Sequence, residues 1–184
     1  MALAPPTFLP AQSGWGIQAG PSGLRKASIQ QEATVMGAKC TTRLQFTCTQ
    51  DSPGAAGVLA LEFTVAPITP LKGFDFGFFE GPGAPAGAKG LMRLTVTRAG
   101  KPSVHSLRLG GWLSAEVEDG FVFASNQRTR QKTGPVRQVL NQVLEGAETL
   151  EVAIVDGRNP STVLKARFPL AGSGPALRSL LKGL

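Results

Sequence analysis

From Lys39 to Gln50 the chain reads KCTTRLQFTCTQ, and polarity alternates along it. Even positions carry Cys40, Thr42, Leu44, Phe46 and Cys48; odd positions carry Thr41, Arg43, Gln45, Thr47 and Thr49. A period of two belongs to a β-strand with one face on a core and the other toward water. Phe46 is therefore expected inside and Gln45 outside, so an Asp at 46 should collapse the fold while an Asp at 45 should be tolerated. The same alternation recurs elsewhere. Residues 27–36 place Ile29, Ala33 and Val35 on one side, and Gly37-Ala38-Lys39 turns this strand into the cysteine strand as a hairpin. VLALEFTVA, residues 58–66, sends Leu59, Leu61, Phe63 and Val65 inward. LMRLTVTRAG does so with Met92, Leu94 and Val96, turns at Gly100, and is partnered by SVHSLRLGGW. AEVEDGFVFA holds a further hairpin signal at Asp119-Gly120. Phe74, Phe76 and Phe78 share one parity and read as one face of a short strand, filling core or forming a ligand wall.

The last third changes period. Val136, Val139, Leu140 and Val143 recur at helical spacing, with Thr133 as N-cap, Pro135 in the first turn and Gly146 as the stop. This predicts a helix over about 134–145. TLEVAIVD and TVLKARFPL are strands joined by GRNPS, an Asn-Pro turn. GSGPALRSLLKGL ends the chain in a helix over about 174–182, with Leu177, Leu180 and Leu181 on its buried face. Many short strands and few helices make the fold mainly β: a single-domain antiparallel β-sandwich with two short helices. The domain spans residues 16–184, behind a Pro- and Ala-rich leader, residues 1–15, that is expected to be extended or disordered. There is no internal repeat.

Composition agrees with a folded domain. Of 184 residues, 42% are hydrophobic and 17% charged, outside the range of disordered chains. The 23 Gly and 14 Pro favour turns over long helices. No apolar run reaches the roughly 18–20 residues of a membrane span. MALAPPTFLPAQSGWG lacks the basic and apolar regions of an intact signal peptide. Ala2-Leu3-Ala4 is compatible with the tail of a removed signal, although a cytosolic leader would read the same way.

Charge adds one local feature. Residues 1–124 carry 10 basic and 8 acidic side chains, whereas residues 125–184 carry 9 basic and 4 acidic. The excess concentrates in QRTRQKTGPVR, where Arg128, Arg130, Lys132 and Arg137 occur with no acidic residue between Asp119 and Glu145. Three of the four precede a helix start, whose free N–H groups carry about half a positive charge. Basic side chains beside them suit phosphate or carboxylate. The segment is thus a candidate anion site, or else a solvated loop serving solubility. Nucleic acid is disfavoured, since the chain has no Tyr and its phenylalanines fall in strands rather than among the basic residues.

The remaining chemistry is sparse. On one strand, at roughly 3.3 Å per residue, Cys40 and Cys48 lie about 26 Å apart. A disulfide needs Cα atoms within about 7 Å, so two reduced, inward-facing thiols are expected. A bend near Gln45 would be needed to bridge them, and no Gly, Pro, Asn or Asp is there to make one. His105 is the single histidine and shares parity with Leu107 and Leu109. It is a candidate base for a hydrolase-like enzyme, or more plainly a hydrogen-bonded core residue. One His with two distant Cys does not make a zinc site, Glu116, Glu118 and Asp119 do not make a calcium loop, and no G-x-S-x-G elbow is present. EGPGAPAGAKG is not a phosphate loop, because Gly90 follows Lys89 where Ser or Thr is required. Neither cofactor nor catalyst is expected.

The C-terminal region, residues 139–181, resembles the end of bacterial periplasmic proteins of the invasion-associated locus B type. The likeness rests on Leu144, Gly146, Leu150, Val152, Leu170, Gly172, Ala176 and Leu177. It implies a small secreted or periplasmic β-sandwich without catalytic machinery that acts by binding at the envelope; with the basic segment beside it, the expected partner is a protein or an anionic ligand. It carries over no functional residue. The cysteines depart from the family, whose members usually carry disulfides.

Overall fold

A computed structural model describes residues 14–20, 23–49, 57–81 and 91–182. Two antiparallel sheets pack face to face. The larger runs β1 (Gly16–Ala19), β2 (Arg25–Val35), β3 (Ala38–Thr49), β4 (Val58–Ala66), β8 (Phe121–Arg128) and β7 (Gly110–Leu113) in that order. The smaller runs β10 (Val163–Pro169), β9 (Thr149–Val155), β5 (Met92–Arg98) and β6 (Lys101–Leu107). Helix α1 (Pro135–Leu144) touches β4 and β8 of one sheet and β5 and β6 of the other, closing the gap between them. Helix α2 (Ser173–Leu180) lies beside α1 against β1, β2 and β3. The mainly β single-sandwich architecture and both helices thus stand as the sequence predicts. Of the expected leader, residues 1–13 lie outside the described residues, as do 51–56 and 82–90 of the two expected loops.

The core follows strand parity. Leu44 and Phe46 of β3, Leu61 and Phe63 of β4, and Phe121 and Phe123 of β8 are fully buried and meet Leu94, Val152, Leu164 and Phe168 of the other sheet. At roughly 1.5–3 kcal/mol per buried side chain, this layer outweighs any single polar contact described below. Cys40 and Cys48 occupy the same inner face of β3, both buried and unbonded to each other. The Cys40 thiol lies 3.5 Å from the Pro67 carbonyl.

Local geometry departs from the sequence reading at four places. The β2–β3 hairpin turns at Met36-Gly37, both with positive φ (48° and 81°), so Ala38 and Lys39 already belong to β3. A two-residue turn of this hand matches strand twist, and Gly37 meets its demand without a Cβ penalty. SVHSLRLGGW is not one strand. β6 ends at Leu107, the chain crosses between sheets at Arg108-Leu109, and Gly110–Leu113 forms β7 of the larger sheet. The phenylalanine segment is not a strand either. Phe76–Phe79 form a 3₁₀ turn because the Asp75 carboxylate accepts the Phe78 N–H at 3.3 Å. Phe74, Phe76 and Phe79 then reach one aromatic cluster with Phe121 and Phe123, the Phe79 and Phe123 rings 5.1 Å apart. Finally, β1 extends the sheet at the start of the domain, where the sequence reading assigns no strand. It is fixed by Trp15, which stacks on Phe46 and donates to the Pro169 carbonyl at 3.4 Å.

Asp156, 2% exposed at the end of β9, ties this turn to the β9–β10 connection. Its carboxylate accepts the Asp75 N–H and, at 2.7 Å each, those of Arg158 and Asn159. Burial pushes its pKa up, but the three N–H groups and Arg158 outweigh burial and hold it below the usual carboxylate range.

The cysteine geometry has a direct readout. Thiol titration in denaturant should return two reduced cysteines per chain, with both unreactive in the native state because burial shields them and raises their pKa values. An intramolecular bridge found by mass would mean that β3 is not one strand.

Candidate functional site

The basic segment leaves the sandwich at the end of β8. Arg128 is the last residue of that strand, opposite Val58, and its side chain is exposed. Arg130 and Lys132 follow, also exposed, in the connection to α1. The strand ends at Arg128, so Arg130 does not continue its alternation.

The helix start is more occupied than the sequence suggests. The N-cap is Gly134 rather than Thr133, and no side chain caps it from that position. Instead the buried Gln127, next to last in β8, reaches across. Its Oε1 accepts the Arg137 N–H at 3.1 Å while its Nε2 donates to the Gln131 carbonyl at 2.9 Å. A Cβ on Gly134 would sit 2.3 Å from Oε1, so the absence of a side chain there is what admits the amide. One of the amides expected to meet an anion is therefore already satisfied. Arg137 also separates from the other three. It is half-buried, its Nη1 has no partner, and with Arg25 it acts on Cys48. Burial pushes the Cys48 thiol up, and the two guanidiniums pull against that rise. The structure thus leaves Arg128, Arg130 and Lys132 on the surface, with Arg25 and Arg137 beneath them at the same end of the sandwich.

His105 sits on β6 facing α1. Its Nε2 lies 3.0 Å from Gln142 Oε1, which also accepts the Ser103 hydroxyl at 2.7 Å. An amide bridges the imidazole and the hydroxyl, and among the described residues no carboxylate is hydrogen-bonded to the ring. Among the described residues no group of three His, Cys, Asp or Glu could hold a metal ion.

A second polar cluster was not foreseen. On the outer face of the larger sheet, register aligns Lys26 with Thr47, Ser28 with Gln45 and Glu62, and Gln30 with Arg43 and Thr64. The loop from β7 to β8, residues 114–120, passes over this face. Its Glu116 pairs with Lys26 at 3.1 Å and with Arg43 at 2.9 Å. Ser114 shapes the loop by accepting the N–H groups of Glu116 and Val117. Gln45 is consequently buried, 3% exposed, not solvated as the alternation implied, and its amide donates to Glu62 at 2.8 Å. Burial raises the Glu62 pKa, while Lys26, Gln45 and Arg43 pull it back. Glu116 goes the other way. Burial pushes it up, but Lys26 and Arg43 win and hold it low. Strand parity could have grouped Lys26, Arg43, Gln45 and Glu62. The arrival of Glu116 from a loop could not be read.

Comparison with protein-family models, with curated proteins and with solved structures returns no match to this chain. The residues on which the C-terminal likeness rests serve packing and turns here. Leu150, Val152, Leu170 and Leu177 are buried, and Gly146 and Gly172 take positive φ.

Gln45→Asp is therefore not tolerated, contrary to the alternation alone. It sets a second carboxylate against Glu62 in a buried place and should cost about 2–4 kcal/mol at pH 7. Glu62 has a raised folded pKa, so its favourable contribution is full below the ordinary carboxylate range and is lost as pH rises through the folded value. The penalty of Gln45→Asp should shrink as the pH falls and Glu62 protonates. Urea denaturation of both proteins at pH 7 and pH 4 checks this, and equal stabilities at pH 7 would place Gln45 in water.

Proposed function

We propose that this chain is a non-enzymatic binding module of the bacterial envelope, secreted or periplasmic, that engages an anionic ligand or partner through its basic end. The observation that carries the reading is the run of exposed cations from Arg128 to Lys132. None of the ion pairs found among the described residues involves Arg128, Lys132 or Arg137. Arg25 and Arg137 deepen the positive field from below, and a field of one sign raises the local concentration of an oppositely charged partner. The C-terminal likeness to the invasion-associated locus B type supports the envelope location. The binding role is further supported by His105, whose ring is engaged by an amide rather than by the carboxylate that a triad needs.

Side chains, more than the helix amides, hold the anion in this reading, because Gln127 already takes the Arg137 N–H. Exposed charge pairs are worth under about 1 kcal/mol each, so a single substitution weakens binding only modestly. Calorimetric titration with phosphate and with a polyanion should show binding at low salt that fades toward physiological strength, where the Debye length is about 8 Å. The variant Arg128→Gln/Arg130→Gln/Lys132→Gln should lose binding with its melting temperature nearly unchanged. Arg137 is left intact because it is half-buried. If wild type binds neither probe, or the triple variant binds as well, the segment is only a solvated surface.

A further inference from the structure

The outer face of the larger sheet holds a polar arrangement that packing alone does not require. Lys26 and Arg43 stand on different strands, two rungs apart in register, about 14 Å along the sheet. Their side chains nevertheless converge on a single carboxylate. That carboxylate comes from a loop, and its side chain is 55% exposed. Arg43 uses only one nitrogen on it, Nη2. Its Nε is buried and has no partner, so the fork that a guanidinium offers to a carboxylate is half filled. Below the contact lie the Gln45 amide, the Thr47 hydroxyl and Glu62 rather than apolar side chains.

Trp112 lies on the same face. Register carries its rung from β7 through Val122 and Thr64 to Arg43, three strand spacings or about 14 Å away. It is 46% exposed, one of the few large apolar side chains left in water among the described residues. An exposed indole in line with a basic fork and an amide floor offers an apolar plate beside directional polar groups. That combination fits a ring with one apolar side and a polar rim.

We infer that Lys26 and Arg43 form a carboxylate-binding site for an acidic glycan, and that Glu116 occupies it as an internal stand-in when no ligand is bound. An incoming uronic acid takes the place of the Glu116 carboxylate on the two cations, its neighbouring sugar rests toward Trp112, and the 114–120 loop is displaced. No covalent bond is made or broken; the two Glu116 ion pairs are exchanged for two to the ligand. A peptide carboxylate would use the cations but would leave the indole without a role, so the glycan is the better fit.

The site is distinct from the basic end. The test therefore uses a background in which Arg128, Arg130 and Lys132 are all replaced by Gln, so failure at one site says nothing about the other. In that background a short galacturonate oligosaccharide is titrated by calorimetry at low salt, beside a neutral galactose oligosaccharide and a poly-glutamate peptide. The galacturonate should bind and the neutral sugar should not. Glu116→Gln should tighten binding about threefold to tenfold, because the internal competitor is removed while the loop keeps its length. Lys26→Gln, at a part-exposed position, should weaken binding to a similar degree, and Arg43→Gln should abolish it. Trp112→Ala should weaken galacturonate binding and leave any poly-glutamate binding unchanged. Melting curves accompany each variant, and Lys26→Gln keeps the test open if Arg43→Gln does not fold. Glu116→Gln binding no more tightly than its parent would overturn the stand-in role. Poly-glutamate binding as well as galacturonate would overturn the glycan, and no binding by any variant would overturn the site.

Discussion

β3 is hydrogen-bonded along both edges, and every second side chain on it must point away from the second sheet. This constraint organises the molecule. Leu44 and Phe46 can enter the core only if Arg43, Gln45 and Thr47 are turned out on the opposite face. With the 114–120 loop over that face, such polar residues meet little water, so they must find partners in the protein. Glu62 supplies one from the neighbouring strand and the 114–120 loop supplies the other through Glu116. The inner face is held by apolar area and the outer by a network of hydrogen bonds and ion pairs, and one register sets both.

Two surfaces of the molecule use cations differently. At the end of β8, Arg128, Arg130 and Lys132 stand in solvent, while Gln127 turns inward and completes the start of α1. On the sheet face, Lys26 and Arg43 are drawn together over Glu62 and matched by Glu116. Exposed cations attract at long range and are weakened by salt. Cations over a shielded floor select at short range, because misplaced charge there is costly. The proposed binding role would draw on long-range attraction at one surface and on short-range selection at the other.

Much of this was legible from the sequence. The alternation through β3, β4, β5, β9 and β10, the helical spacing of Val136, Val139, Leu140 and Val143, and the free cysteines all follow from local periods. What was not legible depended on distant partners. Gln45 looked solvated because Glu116, on a distant loop, is what closes over its face. Phe76 looked strand-like because parity does not show that the Asp75 side chain turns the backbone. SVHSLRLGGW looked like one strand because its alternation continues across the point where the chain changes sheets. The helix start looked open because nothing local shows Gln127 reaching it from β8. Elements came from local pattern, and the candidate site came from long-range register and loops.

The central claim is that the 114–120 loop lies over the outer face of the larger sheet and is coupled to β3. A double-mutant cycle on stability between Arg43→Gln and Glu116→Gln measures that coupling directly. The account predicts a favourable interaction of roughly 0.5–1 kcal/mol at low ionic strength, reduced in high salt, because Glu116 is partly exposed. Strictly additive effects of the two substitutions at low salt would contradict it, since the loop would then not rest on Arg43.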